Sequence, residues 1–466
     1  TLLPDILLVL DDLQDPGKGA DLIAANLGIK VNEAQKVLET SDSKERMSLV
    51  LDYLNSEIEA LQIQQKNKVG KDDNRNNREQ FFKDQMKAIK NELGENDSKS
   101  EEIEELKAIA QLDGINELKP WDSTYYSEKL KEEKYAFNEE DLRPYFQLEN
   151  VVEGIFKHAQ KLYGLKFKER PELPTYHSDV KVYEITQEKD GKYMGLFYTD
   201  FFPRETKKGG AWMTTFRDQG LARNKVLRPH VSIVCNFTKP TNSKPSLLTY
   251  DEVRTLFHEF GHALHAILSD CTYRSLSGTN VYWDFVELPS QIMENWVTEK
   301  EGLDLFAHHY VTKDLIPKEL VEKLMRSHKY LAGWASLRQI QFGLLDMSFY
   351  LTDPSLIHDV DAFENKSTAD CRIIPKIEGT NTACSFSHIF AGGYSAGYYS
   401  YKWAEVLDAD AFEYFKEKGI FNSEVATLFK NHILSRGGTE EPMELYKKFR
   451  GHEPDPNALL RRDGLI

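Results

Sequence analysis

The sequence predicts a mainly α-helical fold with a small antiparallel β-sheet, preceded by an elongated α-helical segment. Three observations support this. All 6 tryptophans and all 4 cysteines lie beyond residue 119, and no proline stands between Pro16 and Pro120, so the two parts of the chain are unlike. Helical periodicity recurs on both sides of that point. Strand-like alternation is confined to about 180–237.

The first part opens on Leu2 to Leu10, which Pro4 and Asp5 interrupt and no basic flank precedes. It reads as the start of a helix cut from something longer, not as a signal peptide. Val50, Leu54, Ile58 and Leu61 recur at helical steps, as do Phe82, Met86, Ile89 and Leu93, and each series draws an apolar stripe down one face. Between them Gln64 to Asn77, with Gly70 inside, reads as a solvated helix or linker. Asn96 to Ser100 breaks the pattern and the acidic run Glu101 to Glu105 restarts it. No cluster suited to chemistry lies here, so the expected role is packing or self-association.

In the second part Val180 to Thr186 alternates as a strand, Asp190-Gly191 marks a turn, and Gly195 to Phe201 is the return strand. Ala211-Trp212-Met213 and Val231 to Phe237 are further strand candidates. Beyond Pro245 the chain reads as chiefly helical.

A length of 466 residues suggests two to four domains, and 40% hydrophobic residues suit a sizeable soluble core. No run approaches the ~18 apolar residues of a membrane span. A net charge of −16 argues against nucleic acid or an anionic membrane as partner. Cys235, Cys271, Cys371 and Cys384 are widely spaced with no C-x-x-C, which points to a reducing cytoplasm.

The chemistry centres on His258-Glu259-Phe260-Gly261-His262, an H-E-x-x-H inside a helical stretch. Four residues make slightly more than one turn, so His258 and His262 leave one face and can grip a single Zn²⁺ ion. Glu259 can reach water at the metal without ligating it. Leu256, Phe257, Phe260, Leu264 and Ile267 make this a core helix, and Gly261 lets something pack close. A catalytic zinc site usually takes a third protein ligand. Glu287, set among Phe285, Val286 and Leu288, is the best candidate, with His265, two turns from His258, its rival. Gln291 and Glu294 share the Glu287 face and could orient a ligand histidine.

A second constellation runs from His388 to Tyr401, where Gly392, Gly393 and Gly397 permit unusual backbone angles. One imidazole and several hydroxyls crowd this segment, and peptide hydrolysis needs such donors aimed at an oxyanion.

On these residues the chain resembles the thimet oligopeptidase family of zinc peptidases, most nearly its bacterial peptidyl-dipeptidase branch. The likeness extends over 105–466, through Leu118 to Asp122, Tyr125 to Leu130, Gly209 to Met213, Cys235-Asn236-Phe237, Gly278 to Tyr282 and Ile433 to Gly437. It implies a zincin-type catalytic domain, with one zinc ion on His258, His262 and Glu287 and Glu259 as general base. It further implies that His388, Tyr394, Tyr398 and Tyr401 bind substrate or stabilise the transition state. A peptide would then add as a strand beside Ala211 and Trp212. Residues 1–104 resemble the helical N-terminal region of Lon proteases through Asp21 to Gly28, Glu33 to Thr40 and Gln85 to Glu95, without Lon's G-x-x-x-x-G-K-[ST]. The chain therefore reads as a hybrid joined around 95–112, the Lon-like segment standing where the peptidase family carries the helical wall of a deep channel.

The expected activity is hydrolysis of short peptides with release of C-terminal dipeptides, for which Arg436 is a candidate carboxylate reader. The alternatives are an oligo-endopeptidase of the same family and an inactive peptide-binding or assembly protein lacking the channel wall. Lon-like helices can self-associate, whereas the peptidase likeness favours a monomer.

Overall fold

The computed structural model describes residues 15–26, 31–54, 98–372, 374 and 376–466, the side chains of 26, 31, 32 and 98–103 excepted. The chain divides into two compact units, Thr1–Asp84 and Gln85–Ile466. In the first, α1 (Pro16–Asn26), α2 (Val31–Glu39) and helical residues 43–54 close on Ala20, Val37 and Val50. The Asp42 side chain accepts the N–H groups of Lys44 and Glu45, which starts the third stretch, and Arg46 bonds both oxygens of Asp21. Val50, the first residue of the expected stripe, is buried. Ile58, Leu61 and the stripe from Phe82 to Leu93 lie outside the described residues.

In the second unit the acidic restart becomes α3 (Ser98–Leu112), which lies within the 95–112 stretch of the expected join and spans the expected 104/105 boundary. Its Leu106, Ile109 and Ala110 pack with Tyr126 and Leu130 of α4 (Pro120–Tyr135). Pro120 opens α4 because a first-turn N–H needs no helical partner. Next, α5 (Leu148–Tyr163) ends at Gly164, whose φ of 65° favours glycine.

The sheet has the order β1-β2-β3-β7-β4, built from β1 (Leu165–Glu169), β2 (Lys181–Gln187), β3 (Tyr193–Asp200), β4 (Trp212–Arg217) and β7 (His230–Val234). Pairings β1–β2, β2–β3 and β4–β7 are antiparallel as expected, but β3–β7 is parallel, so the sheet is mixed. The long connection from β3 to β7 makes that possible, since parallel neighbours cannot be joined by a tight turn. Within it β5 (Gly220–Ala222) and β6 (Lys225–Leu227) form a hairpin turned by Arg223 and Asn224, both at positive φ. Strand β4 is left at an edge. Buried Ile185, Phe197, Val231 and Ile233 line the inner face.

Against that face lies α6 (Tyr250–Leu268). The Thr249 hydroxyl accepts the Glu252 N–H at 3.1 Å while the Glu252 carboxylate accepts the Thr249 N–H at 2.8 Å, a reciprocal cap that fixes where α6 starts. Phe260 meets Phe197 and Phe167 at ring separations of 5.8 and 6.0 Å, so the apolar face of the H-E-x-x-H helix is buried on the sheet. Beyond α6 the described residues are helical or irregular but for one isolated bridge, as expected from Pro245 onward.

Candidate active site

The short helices α7 (Trp283–Val286) and α8 (Leu288–Glu294) join at Glu287, with Pro289 in the first turn of α8. They press on α6 at Gly261, where a Cβ would stand 2.1 Å from the Pro289 carbonyl oxygen and 2.6 Å from Ser290 Cα. These are backbone atoms and cannot step aside, so this glycine sets the closeness of the two elements. Gly261→Ala is expected to lower stability by about 3 kcal/mol, read by urea denaturation, because the helices must separate.

That closeness brings three side chains to one point. Glu287 Oε2 lies 3.3 Å from His258 Nε2 and 3.2 Å from His262 Nε2, and the three ligand atoms all fall within 4.8 Å of one another. Two imidazole nitrogens and a carboxylate oxygen suit zinc, and the set fits a site with three protein ligands and an open position. Burial disfavours charge on the His258 imidazole, yet the carboxylates of Glu287 and Glu294 raise its pKa well above the usual value. Burial likewise opposes the Glu287 carboxylate, but the two histidines hold its pKa well below the ordinary range. The triad is thus a dense, mutually polarised donor set.

Around it lies a supporting layer. Glu294 Oε1 sits 2.7 Å from His258 Nδ1, which leaves Nε2 as the nitrogen facing the group. Arg254, one turn before His258, donates to Glu294 Oε2 at 2.6 Å. Ser290 Oγ lies 2.8 Å from both the backbone oxygen and Oε2 of Glu287. Sequence reasoning picked out Glu294 and missed Arg254 and Ser290. Their signals were the i, i−4 spacing of Arg254 to His258 and the i, i+3 spacing of Ser290 to Glu287. Gln291 turns elsewhere, its amide donating to the Tyr401 carbonyl at 3.3 Å. Glu294→Ala is expected to weaken metal affinity about 10- to 100-fold without removing a ligand, measured by competition with a metal chelator.

Glu259, only 6% exposed, follows His258 on α6. Burial raises its carboxyl pKa, opposed by the charges of His258 and His262. A carboxylate in this setting is more basic than one in water, as proton transfer requires. His265 is completely buried, its imidazole pushed down to about 3 by burial, and it lies outside the three-residue group.

The segment 388–401 borders the triad. Tyr394 Oη lies 3.4 Å from Glu287 Oε1; its ring stacks on Tyr401 at 5.1 Å and meets Trp283 at 4.6 Å, tilted by 51°. His388 has Tyr394, Tyr398 and Tyr401 within 6.4 Å of its ring, and Tyr398 and Tyr401 are 5.2 Å apart. Burial raises the pKa of all three tyrosines, that of Tyr394 to about 12, so each stays a hydroxyl donor near neutral pH. The Tyr399 hydroxyl, donating to Asp284 at 2.5 Å, ties this segment to α7.

Trp212 opens edge strand β4, which packs against α6. Asn236 donates from one amide to the carbonyls of Lys208 and Gly210, pinning the turn before Ala211 and Trp212. Arg436 stands apart: it is ion-paired with Glu440 at 2.5 Å and is not among the residues lining the cavity beside the site. That cavity, of about 1090 Å³, is lined by Glu294, Gln291, His388, Tyr398 and Tyr401 and also by the charged residues Arg254, Asp408, Arg461 and Arg462.

Among known proteins, the family model described as peptidase family M3 matches residues 44–465, and the substrate-binding domain of ATP-dependent protease La (LON) matches 1–56. Oligopeptidase A of Escherichia coli (strain K12) is 45% identical over 371 residues, covering 78% of this chain and 54% of that protein. Dipeptidyl carboxypeptidase of the same organism is 40% identical over 370 residues, with the same coverage of each. A thimet-like oligopeptidase of Dictyostelium discoideum is 36% identical over 350 residues, covering 74% of this chain and 52% of that protein. The chain thus spans about half the length of the curated relatives it matches. With the match running over 44–465, the chain belongs to peptidase family M3.

Proposed function

We propose that the protein is a zinc peptidase that hydrolyses short peptides and releases C-terminal dipeptides. The observation that carries this reading is the convergence of His258 Nε2, His262 Nε2 and Glu287 Oε2 within 4.8 Å, with buried Glu259 on the same helix as the two histidines. His258, His262 and Glu287 would hold the ion. Bound there, zinc supplies a Lewis acid and acidifies water toward a pKa of ~7. Glu259 accepts the proton of the attacking water and returns it to the leaving amine. His388 and Tyr401 donate to the developing oxyanion, as does Tyr398 once its hydroxyl leaves Gln339 Oε1, and Tyr394 orders that aromatic cluster beside Glu287. The free edge of β4 at Ala211 and Trp212 takes the peptide as an added strand, which holds the scissile bond in register. In this reading 105–466 is the catalytic part and 1–104 the Lon-like helical segment. The free thiols Cys235, Cys271 and Cys384 suit a reducing cytoplasm.

One observation favours internal cleavage as the second reading. Arg436 is paired with Glu440 and does not line the cavity beside the site, which weighs against it as the group gripping a terminal carboxylate. Mass spectrometry of a free-C-terminus peptide and its amidated twin, each incubated with the zinc-loaded protein, separates the two. Dipeptide loss from the free form alone is the expected result. Internal cuts in both forms would establish the second reading, and zinc-bound protein that cuts neither would leave a peptide-binding or assembly role.

A further inference from the structure

The segment from His388 to Tyr401 holds four of the proposed substrate-facing groups; its ends lie in the helices Ser387–Phe390 and Tyr399–Lys418, but no regular helix fixes 391–398 between them. It contains Gly392, Gly393 and Gly397, with Gly393 at φ 84° and Ala396 at φ 53°. A non-glycine residue in the left-handed region needs its surroundings to hold it there. Left free, such a stretch would sample many conformations, and its tyrosines would rarely point together.

One helix face opposes that freedom. On α9 (Ala332–Leu351), Gln339, Phe342, Asp346 and Tyr350 follow one another at steps of three, four and four, so they share a face. All four touch the segment. Gln339 Oε1 accepts the Tyr398 hydroxyl at 3.2 Å, and the Phe342 ring packs on Tyr398 at 5.6 Å. Asp346 Oδ1 accepts the Ala396 N–H at 2.8 Å and its Oδ2 accepts the Tyr398 N–H at 2.9 Å. Tyr350 Oη lies 2.6 Å from the Ile389 carbonyl oxygen and 3.1 Å from Ser395 Oγ. Asp346 is the centre of the face and is fully buried. A carboxylate has two acceptor oxygens, and both are used here on backbone donors flanking Gly397.

We infer that Asp346 is a positioning residue: by holding the backbone at 396–398 it seats the loop that carries Tyr394 and Tyr398, and the start of the Tyr399–Lys418 helix that carries Tyr401, beside the His258–His262–Glu287 group. This rests on the peptidase reading above for its catalytic consequence. The contacts themselves do not depend on it. The hydrogen bonds of the Asp346 carboxylate go to the loop backbone at Ala396 and Tyr398, not to His258, His262 or Glu287. It acts through the loop, so its loss lowers turnover and leaves zinc in place.

The test is Asp346→Asn in the full, zinc-loaded chain, because the amide keeps the size and loses one acceptor. Cleavage kinetics of a short internally quenched peptide, zinc content and hydrogen–deuterium exchange are read together. The expected result is a kcat about 30-fold lower at nearly unchanged KM and full zinc content. Exchange at the Ala396 and Tyr398 amides accelerates while the α6 amides keep their protection. In a Tyr398→Phe background the same substitution costs only about twofold more, since both changes act on one element. Tyr350→Phe, at the exposed end of the face, serves if Asp346→Asn does not fold, and is expected to act in the same direction by about threefold. Equal fold losses in both backgrounds, or unchanged exchange over 389–401, would overturn the inference. A wild-type chain that cuts no peptide overturns the peptidase reading instead, and the exchange measurement then decides the clamp alone.

Discussion

Glu259→Gln is expected to keep the metal and to lower peptide turnover by about 10³-fold, within the span general acid–base catalysis contributes. The substitution is nearly isosteric and sits on a helix turn packed against the sheet, so the fold and the three ligands stay in place. What it removes is an acceptor able to take a whole proton. Burial makes this carboxyl a stronger base than in water, and an amide has no comparable basicity. Initial rates on a short peptide, with zinc content measured on the same sample, separate chemistry from metal loss. Turnover within threefold of the parent would remove Glu259 from the proton-transfer role.

His262→Ala is expected to abolish zinc binding itself. Only three side chains converge on the proposed site among the described residues, so the variant would hold the ion by two. A fall from about one zinc per chain to near none after dialysis is the expected outcome, measured by elemental analysis. Glu287→Ala should behave alike, and would also leave Ser290 Oγ without its side-chain partner. The two variants differ in kind from Glu294→Ala, where the ligands persist and affinity only weakens. A His262→Ala chain that retains stoichiometric zinc would place the ion elsewhere.

The H-E-x-x-H geometry was legible because it is local: four residues of helix decide which way two histidines face. Glu287 was legible by residue type, a carboxylate among Phe285, Val286 and Leu288 that needed a partner. Gly261 announced a close approach but not its object, since α8 lies a loop away. What stayed hidden is non-local. Strand β1 is a bare five residues after a helix, too short for its alternation to stand out. The parallel β3–β7 pair depends on how the chain returns from β4, which no short window contains. Asp346 lies more than forty residues before the tyrosines it braces, on a helix whose pattern reads as ordinary packing. Arg436 is a different case: a charge whose ion-pair partner, Glu440, lies four residues away on the same stretch, a pairing that its sequence spacing already offered.

Titrating the metal-free protein with zinc while following cleavage of a short peptide tests the peptidase reading most directly. Activity should rise to a plateau at about one zinc per chain, vanish on chelation, return with zinc, and stay about 10³-fold lower in the Glu259→Gln variant. Cleavage that survives complete chelation, or a fully zinc-loaded chain that cuts no peptide, would contradict it.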